Sequence, residues 1–337
     1  VLRSLGIFPD ILICRCEHTL DQEHRDKLAL FCGVDRNKVI EEKDVDFSIY
    51  EVPLALSKQD VDVFILELLG LHVHRVDMAD WHAMLDGMRA PARGELEIAV
   101  VGKYISLRDS YKSVYEALTH GGIANGVRVR VRMVESEEIE SGGAAAKLAG
   151  VQGILVPGGF GDRGIEGMIQ TAQYARENQI PFFGICLGMQ CATIEFARNV
   201  CKLADANSTE FDPDTQHPVI DLMEEQRGLT EKGATMRLGS CPCRLRTGTL
   251  AHKAYGRDDI SERHRHRYEF NNRFREALTA RGLVIGGVCE ERNLIEMIEL
   301  PEHPWFVGCQ FHPEFQSTPL DAHPLFRDFV GAALKKR

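Results

Sequence analysis

Apolar residues along the chain change period repeatedly between residues 95 and 200. "LEIAVVGKY", "VQGILVPGGFG" and "IPFFGIC" are short apolar runs of strand length, two of them running into glycine turns. "SYKSVYEALTHGGIANG", "GIEGMIQTAQYARENQ" and "LGMQCATIEFARNVC" place apolar residues at helical spacing. "VRVRVRMV" alternates strictly, as a half-buried strand does. Strand and helix in turn predict an α/β fold: a mostly parallel sheet with helices on both faces. From about residue 234 the strand patterns come closer together, in "TMRLGSCPCRLR", "LVIGGVC", "LIEMIEL" and "WFVGCQF". They predict an antiparallel extension of the sheet. "HPLFRDFVGAALKK" closes the chain as an amphipathic helix.

The first 86 residues read differently. "VLRSLGIFPDILICR" reads as a helix end, a turn at Gly6 and Pro9, and a buried strand. After it the pattern is mostly helical: "QEHRDKLALFCG" with Gly33 as C-cap, then the long apolar stretch "VPLALSKQDVDVFILELLGL". A buried strand needs neighbours, and few other strand candidates are present. The chain also starts at Val1. Residues 1–86 therefore read as the C-terminal remnant of a larger domain, residues 87–94, rich in Gly, Pro and Arg, as a linker, and residues 95–337 as a second domain.

Composition narrows the function classes. With 337 residues, 44% apolar and 27% charged, the chain has the make-up of soluble globular domains. A net charge of −10 argues against a broad nucleic-acid footprint and leaves small anionic ligands open. No apolar run approaches bilayer length, and no membrane partner is expected. The ten cysteines sit mostly in apolar runs, which predicts free buried thiols and a reducing, cytoplasmic setting. The pairs Cys14/Cys16 and Cys241/Cys243 lack the spacing and partners of zinc ligands and read as strand residues. No metal site is expected.

Chemistry concentrates at the ends of strands. Cys186 follows a strand pattern, with Gly184 and Gly188 at i−2 and i+2. This G-x-C-x-G is the cysteine counterpart of the nucleophile elbow, in which a sharp strand-to-helix turn lifts the side chain clear of the sheet. A helix start behind the sulfur favours its anionic form. The same pattern also fits a structural cysteine beside a tight turn. "CQFHPEF" supplies a base, His312, at the end of another strand, and a carboxylate, Glu314, two residues on. "LVPGGFGDRG" offers backbone N–H groups at Gly159 and Phe160 for an oxyanion hole, or glycines that serve only the turn.

Together, "PGGFG", "GICLGMQ" and "FHPEF" resemble a class I (triad) glutamine amidotransferase. "ERHRHRYEFNN" and "ANSTEF" resemble the glutaminase half of the CTP synthase family, while "SLGIFPDILICR", "KLALFC" and "KDVDFSIYEVPL" resemble the end of its synthetase half. The resemblance covers essentially the whole chain. It implies a flavodoxin-like amidotransferase fold preceded by the remnant of a P-loop-type synthetase domain. It implies Cys186 as nucleophile, His312 as acid and base, and Glu314 as its orienting partner. Gly159 and Leu187 would hold the oxyanion. Gly188, Met189 and Gln190 would belong to the glutamine pocket, with Glu210 on the α-amino group and Arg267 on the α-carboxylate. "RHRHR" would form a glutamine-site loop. Lys27 would contact a pyrimidine nucleotide, and Lys43, Asp44 and Val45 an ATP. The family aminates UTP to CTP with ATP, Mg2+ and glutamine-derived ammonia. GTP activates it, CTP inhibits it as product, and it assembles as a homotetramer. No cofactor is expected in the glutaminase domain itself.

The departures lie in the first part. No G-x-x-x-x-G-K-[ST] occurs, and "VVGKY" is too short to replace it. Phe47 interrupts the family's pattern around residues 44–50. The expectation is a chain with an intact glutaminase site and without the ligation site. Another triad amidotransferase, a γ-glutamyl hydrolase, or a non-catalytic assembly module are the alternatives. Phe160 and Arg163 are candidates for a GTP-sensitive wall.

Overall fold

A computed structural model describes residues 2–73, 76–105, 107–222 and 236–337. It divides into two compact units, Val1–Arg89 and Ala90–Arg337. In the first, strand β1 (Leu12–Cys16) pairs in parallel with β2 (Val39–Lys43), Leu12 opposite Val39 and Cys16 opposite Lys43. Helix α1 (Gln22–Cys32) joins them. Its N-cap Asp21 accepts from the His24 N–H, and Gly33 ends it in the left-handed conformation.

Three expectations for this unit are corrected. β2 escaped notice because "VIEEK" alternates weakly and carries three charges. β1 is not fully buried: Ile13 is 51% exposed. The long apolar stretch is two helices, α2 (Val52–Ser57) and α3 (Val61–Leu68). Asp60, with φ of 55°, breaks the run between them. Helix α4 (Ala79–Arg89) completes the unit.

The second unit is built on a nine-stranded sheet. In chain order the strands of this unit are β3 (Glu95–Gly102), β4 (Arg128–Glu135), β5 (Gly153–Val156), β6 (Phe182–Ile185), β7 (Asn207–Ser208), β8 (Pro218–Leu222), β9 (Arg237–Leu245), β10 (Asp259–His266), β11 (Tyr268–Phe270), β12 (Val284–Cys289), β13 (Leu294–Glu299) and β14 (Phe306–Cys309). The main sheet runs β10-β9-β12-β13-β14-β6-β5-β3-β4, and β11-β8-β7 form a small second sheet. From β4 to β14 the pairs are parallel; from β14 to β10 they are antiparallel. The expected mostly parallel sheet with an antiparallel extension is therefore present. Residues 234–235, where that extension was expected to start, lie outside the described residues.

The helices are α5 (Lys112–Asn125), α6 (Ser136–Gly142), α7 (Ala144–Leu148), α8 (Ile165–Glu177), α9 (Leu187–Asn199), α10 (Leu250–Tyr255), α11 (Arg275–Thr279) and α12 (Pro324–Lys336). Strand alternation assigns them to faces. Ala99 and Val101 of β3 join one apolar core with Met168 and Ile169 of α8 and Ala192 and Ile194 of α9. Ile98 and Val100 join another with Leu118 of α5 and Phe326 and Phe329 of α12. Phe183 of β6 meets Phe326 edge to face, with ring centroids 5.3 Å apart. All ten cysteines are free. Among the described residues no helix is long and apolar enough to cross a membrane.

Candidate active site

Ligand sites in open α/β sheets form at the carboxyl ends of the strands. β6 ends at Ile185, and Cys186 makes the corner into α9 with φ of 51° and ψ of −103°. Left-handed backbone at a non-glycine residue is strained. The neighbours hold it there. Cys186 N–H donates to Cys309 O at 2.7 Å, continuing the β6–β14 ladder. A Cβ on Gly188 would lie 2.0 Å from Val156 O, so only glycine lets α9 start this close to β5. Gly158 plays the same part across the site: a Cβ there would lie 2.8 Å from His312 Cε1 and 3.5 Å from Cys186 Cβ.

His312 sits three residues beyond β14, and its N–H donates to Arg263 O of β10 at 2.8 Å. Nδ1 meets Glu314 Oε1 at 2.8 Å. Burial works against a charged imidazole here. The negative charge on Cys186 and the hydrogen bond to it, with Glu314 behind, outweigh burial and raise the His312 pKa to about 10. Cys186, His312 and Glu314 thus form one hydrogen-bonded line, in which His312 is held charged near neutral pH.

Beside the sulfur lies a cavity of about 180 Å³, lined by Gly159, Phe160, Cys186, Gln190, Glu210, Met236, His266, Arg267 and Tyr268. Glu210 accepts from Gly161 N–H at 3.1 Å. Burial raises its pKa, against the pull of Gly161, Lys103 and Arg267. Arg267 turns into the same space, with its buried Nε unpartnered among the described residues. A cavity holding one carboxylate and one guanidinium suits a zwitterionic head group. Gln190 Nε2 donates to Tyr268 O at 2.9 Å. Leu187 is the first residue of α9, so its N–H is one that a helix leaves without an internal partner. Met189 does not face the cavity: its side chain is buried in the core, against Gly308 of β14. Gly188 likewise contributes close packing.

The remaining expected residues lie in the first unit. Lys27 is on α1, exposed, and pairs with Glu23 at 2.5 Å. Lys43 ends β2, and Asp44 follows it, holding Arg15 Nε at 2.7 Å. Val45 is in the loop beyond. Nothing in these contacts assembles the four into a pocket.

"RHRHR" is mostly strand: its first four residues end β10, alternating outward and inward, so Arg263 and Arg265 face out while His264 and His266 face in, and Arg267 follows the strand into the cavity wall. The inward residues meet a buried charge cluster that sequence reading missed. His264 Nε2 lies 2.7 Å from Glu296 Oε2, and His266 Nε2 lies 2.7 Å from Glu269 Oε1. Arg237 bridges Glu296 at 2.7 Å and Glu269 at 3.4 Å. The partners come from β9, β11 and β13, too far apart in sequence to signal one another; the alternation of Arg and His was the one available clue.

Lys103 was also missed. It follows β3 in "VVGKY", and its buried amine holds Phe160 O, at 3.2 Å, and Gly161 O. Burial lowers its pKa. It fixes the glycine turn that carries Gly159. Arg163 braces the same region, donating to Lys103 O and lying 5.5 Å over the Tyr104 ring.

The comparisons with known proteins agree with this geometry. A family model for glutamine amidotransferase class-I matches residues 106–332, and one for the CTP synthase N-terminus matches residues 1–71. CTP synthases of Geobacter metallireducens and Moorella thermoacetica are each 56% identical, over 336 and 335 residues. These alignments cover 100% and 99% of this chain and 62% of each relative, so the chain spans less than two thirds of their length. A solved glutaminase domain of Trypanosoma brucei CTPS, with bound acivicin, is 42% identical with a TM-score of 0.68, covering 72% of this chain and 95% of that one. The chain belongs to the CTP synthase family, and its residues 106–332 to the class-I glutamine amidotransferases.

Proposed function

We propose that the second unit hydrolyses glutamine, and that the whole protein passes the ammonia to UTP in an ATP-dependent synthesis of CTP. The observation that carries the glutaminase reading is convergence. The Cys186–His312–Glu314 line opens on the cavity that holds Glu210 and Arg267. Glu210 would take the α-amino group of glutamine and Arg267 its α-carboxylate. The Cys186 thiolate then attacks the side-chain amide carbon. The carbonyl oxygen gathers the charge, stabilised by the N–H groups of Gly159 and Leu187. The C–N bond breaks as His312 gives its proton to the departing ammonia, leaving a glutamyl thioester. Water attacks the thioester, His312 takes the water's proton, and glutamate leaves. A histidine held charged at neutral pH suits the first step, because the leaving nitrogen needs a proton at once.

UTP, ATP, Mg2+, GTP as activator, CTP as product inhibitor, a homotetrameric assembly and a cytoplasmic setting enter as properties of the whole protein. The described residues do not fit a magnesium site. Among them no group of three or more His, Cys, Asp or Glu is placed to hold a metal, and the Asp44 carboxylate is engaged by Arg15. No step is therefore assigned to the metal.

The test is glutamate release from glutamine, with and without GTP, by the chain and by Cys186→Ala. GTP-responsive release that Cys186→Ala abolishes is the expected result. Release that persists in Cys186→Ala overturns the reading. Release that needs Cys186 and ignores GTP keeps the glutaminase and removes GTP activation from this chain.

A further inference from the structure

Gln310 has no part in the chemistry above, yet it touches the nucleophile. β6 and β14 run parallel with Cys309 opposite Ile185, so the next residue of each strand, Gln310 and Cys186, fall side by side. Gln310 is completely buried, and its main-chain N–H donates to Glu296 O at 2.8 Å. Its amide Nε2 lies 3.6 Å from Cys186 Sγ, a donor distance set by the large radius of sulfur. Its Oε1 lies 3.3 Å from Gln190 Nε2, which also donates to Tyr268 O at 2.9 Å.

This relay has one consistent direction. A carbonyl such as Tyr268 O can only accept, so the Gln190 atom facing it must be the NH2 group. That group has a second hydrogen, and the Gln310 atom facing it must accept. Gln310 then presents its own NH2 to the sulfur. The order runs from a residue of the cavity wall, through two amides, to the nucleophile, and every member points the same way.

We propose that Gln310 is a catalytic residue that donates a hydrogen bond to the Cys186 thiolate, oriented for that task by Gln190. This deepens the glutaminase reading and rests on it. A thiolate accepts a hydrogen bond well and a thioester sulfur poorly. Gln310 therefore stabilises the free thiolate beside His312. It acts again when water has added to the thioester: the C–S bond breaks, its electron pair returns to Sγ, and the Gln310 N–H is already in place to receive it. The proton of the attacking water goes to His312, so Gln310 changes no protonation state.

The experiment is alkylation of Cys186 by iodoacetamide, followed by peptide mass spectrometry across the pH range, in the chain and in Gln310→Met. Methionine is close in size and has no donor. The ionisable groups around the sulfur remain: His312 with Glu314, Cys309 on β14, and Glu210, His266 and Arg267 in the cavity. The difference between the two profiles therefore belongs to Gln310. Hydrogen bonds to charged groups predict a profile moved up by about 1 pH unit and a roughly tenfold slower reaction on its acid side. An unchanged profile in a folded Gln310→Met overturns the proposal. If that variant does not fold, Gln190→Met decides: it leaves Gln310 in place without its orienting partner. It should move the profile the same way by a smaller amount, and an unmoved profile overturns the proposal. Iodoacetamide needs no glutamine site, so the two readings fail separately. A wild-type Cys186 that reacts no faster than the other cysteines at about pH 6, where an ordinary thiol is protonated, overturns both.

Discussion

The two units treat their functional residues in opposite ways. In the second, candidates more than a hundred residues apart in sequence meet in one cavity, backed by buried helices and a nine-stranded sheet. In the first, Lys27, Lys43 and Asp44 stand on a two-stranded sheet and its helix, two of them already ion-paired. Large apolar side chains there face outward: Leu30 is 77% exposed and Phe31 74%. A scaffold closed on both faces can hold a strained corner and buried charges. Among the described residues of this unit the expected nucleotide contacts are not gathered into a pocket, whereas the second unit supplies its own walls.

The sharpest way to break this contrast is to change one side chain in each unit. Gly188→Ala puts a Cβ 2.0 Å from Val156 O, a main-chain atom that cannot swing aside. Overpacking at a rigid backbone contact predicts a loss of about 3 kcal/mol or more, with glutamine hydrolysis lost with the elbow. Phe31→Ala removes a whole ring from α1 and should change stability by less than about 0.5 kcal/mol, as exposed positions do. Chemical denaturation of both variants measures this. Equal losses would erase the distinction between the units.

A second effect lies in the line behind the sulfur. Glu314→Gln keeps the shape and removes the charge that helps hold His312 protonated. General acid–base catalysis contributes about 10²–10⁴-fold, and a drop towards the lower end of that range in kcat is expected. The pH dependence has a definite sign. His312 is raised from 6.5 to about 10 on folding. Its charged form therefore contributes stability that is full below about 6.5 and is lost as pH climbs through about 10. Thermal unfolding between neutral and strongly alkaline pH should show this loss in the wild-type chain and a smaller loss in His312→Ala.

The head-group residues should act on binding more than on rate. Arg267→Met and Glu210→Gln each remove one charge-assisted contact, worth about 1.5–3 kcal/mol, or roughly ten- to a hundredfold in KM for glutamine. Burial raises the Glu210 pKa, so this carboxylate protonates earlier than an ordinary one as pH falls. KM for glutamine should climb on that acid side in the wild-type chain and stay flat in Glu210→Gln. Steady-state kinetics over pH separates this from any change in kcat. A kcat loss at constant KM would move both residues out of the pocket.

These residues were legible in sequence to different degrees, and the reason is range. The elbow is written locally: Gly184, Cys186 and Gly188 lie within five positions, and His312 and Glu314 within three. The strand and helix alternation from residue 95 onward is also local, and the sheet follows it. Glu210 and Arg267 carry no local pattern and entered through family likeness alone. Lys103, Gln310, Arg237, Glu269 and Glu296 gave no signal of their own, because each acts through a partner set by strand register or by a loop far along the chain; the Arg and His alternation in β10 was the one clue to the cluster. Met189 was misplaced for the same reason. A four-residue motif beside a nucleophile does not tell which side chains of a helix start face the cavity and which pack against the next strand. In the first unit β2 was overlooked because its charges hide a strand half open to solvent.

The smallest expected effect tests the other side of the comparison. Lys27→Met removes an amine that pairs with Glu23 at 2.5 Å, on an α1 face where both side chains are more than half exposed. Exposed pairs one helical turn apart contribute about 0.3–0.5 kcal/mol, so stability should barely move. Glutamine hydrolysis should stay within about twofold, since Lys27 is far in sequence from every residue of the Cys186 line and shares no partner with it. If Lys27 meets a pyrimidine nucleotide in the whole protein, the same substitution there should weaken UTP binding while the glutaminase without nucleotide keeps its rate. Calorimetric titration of UTP and glutamate release, measured on the same preparation, separate these outcomes. A loss of basal hydrolysis in Lys27→Met would mean that the two units are coupled through α1, and that the site of the second unit is not self-sufficient.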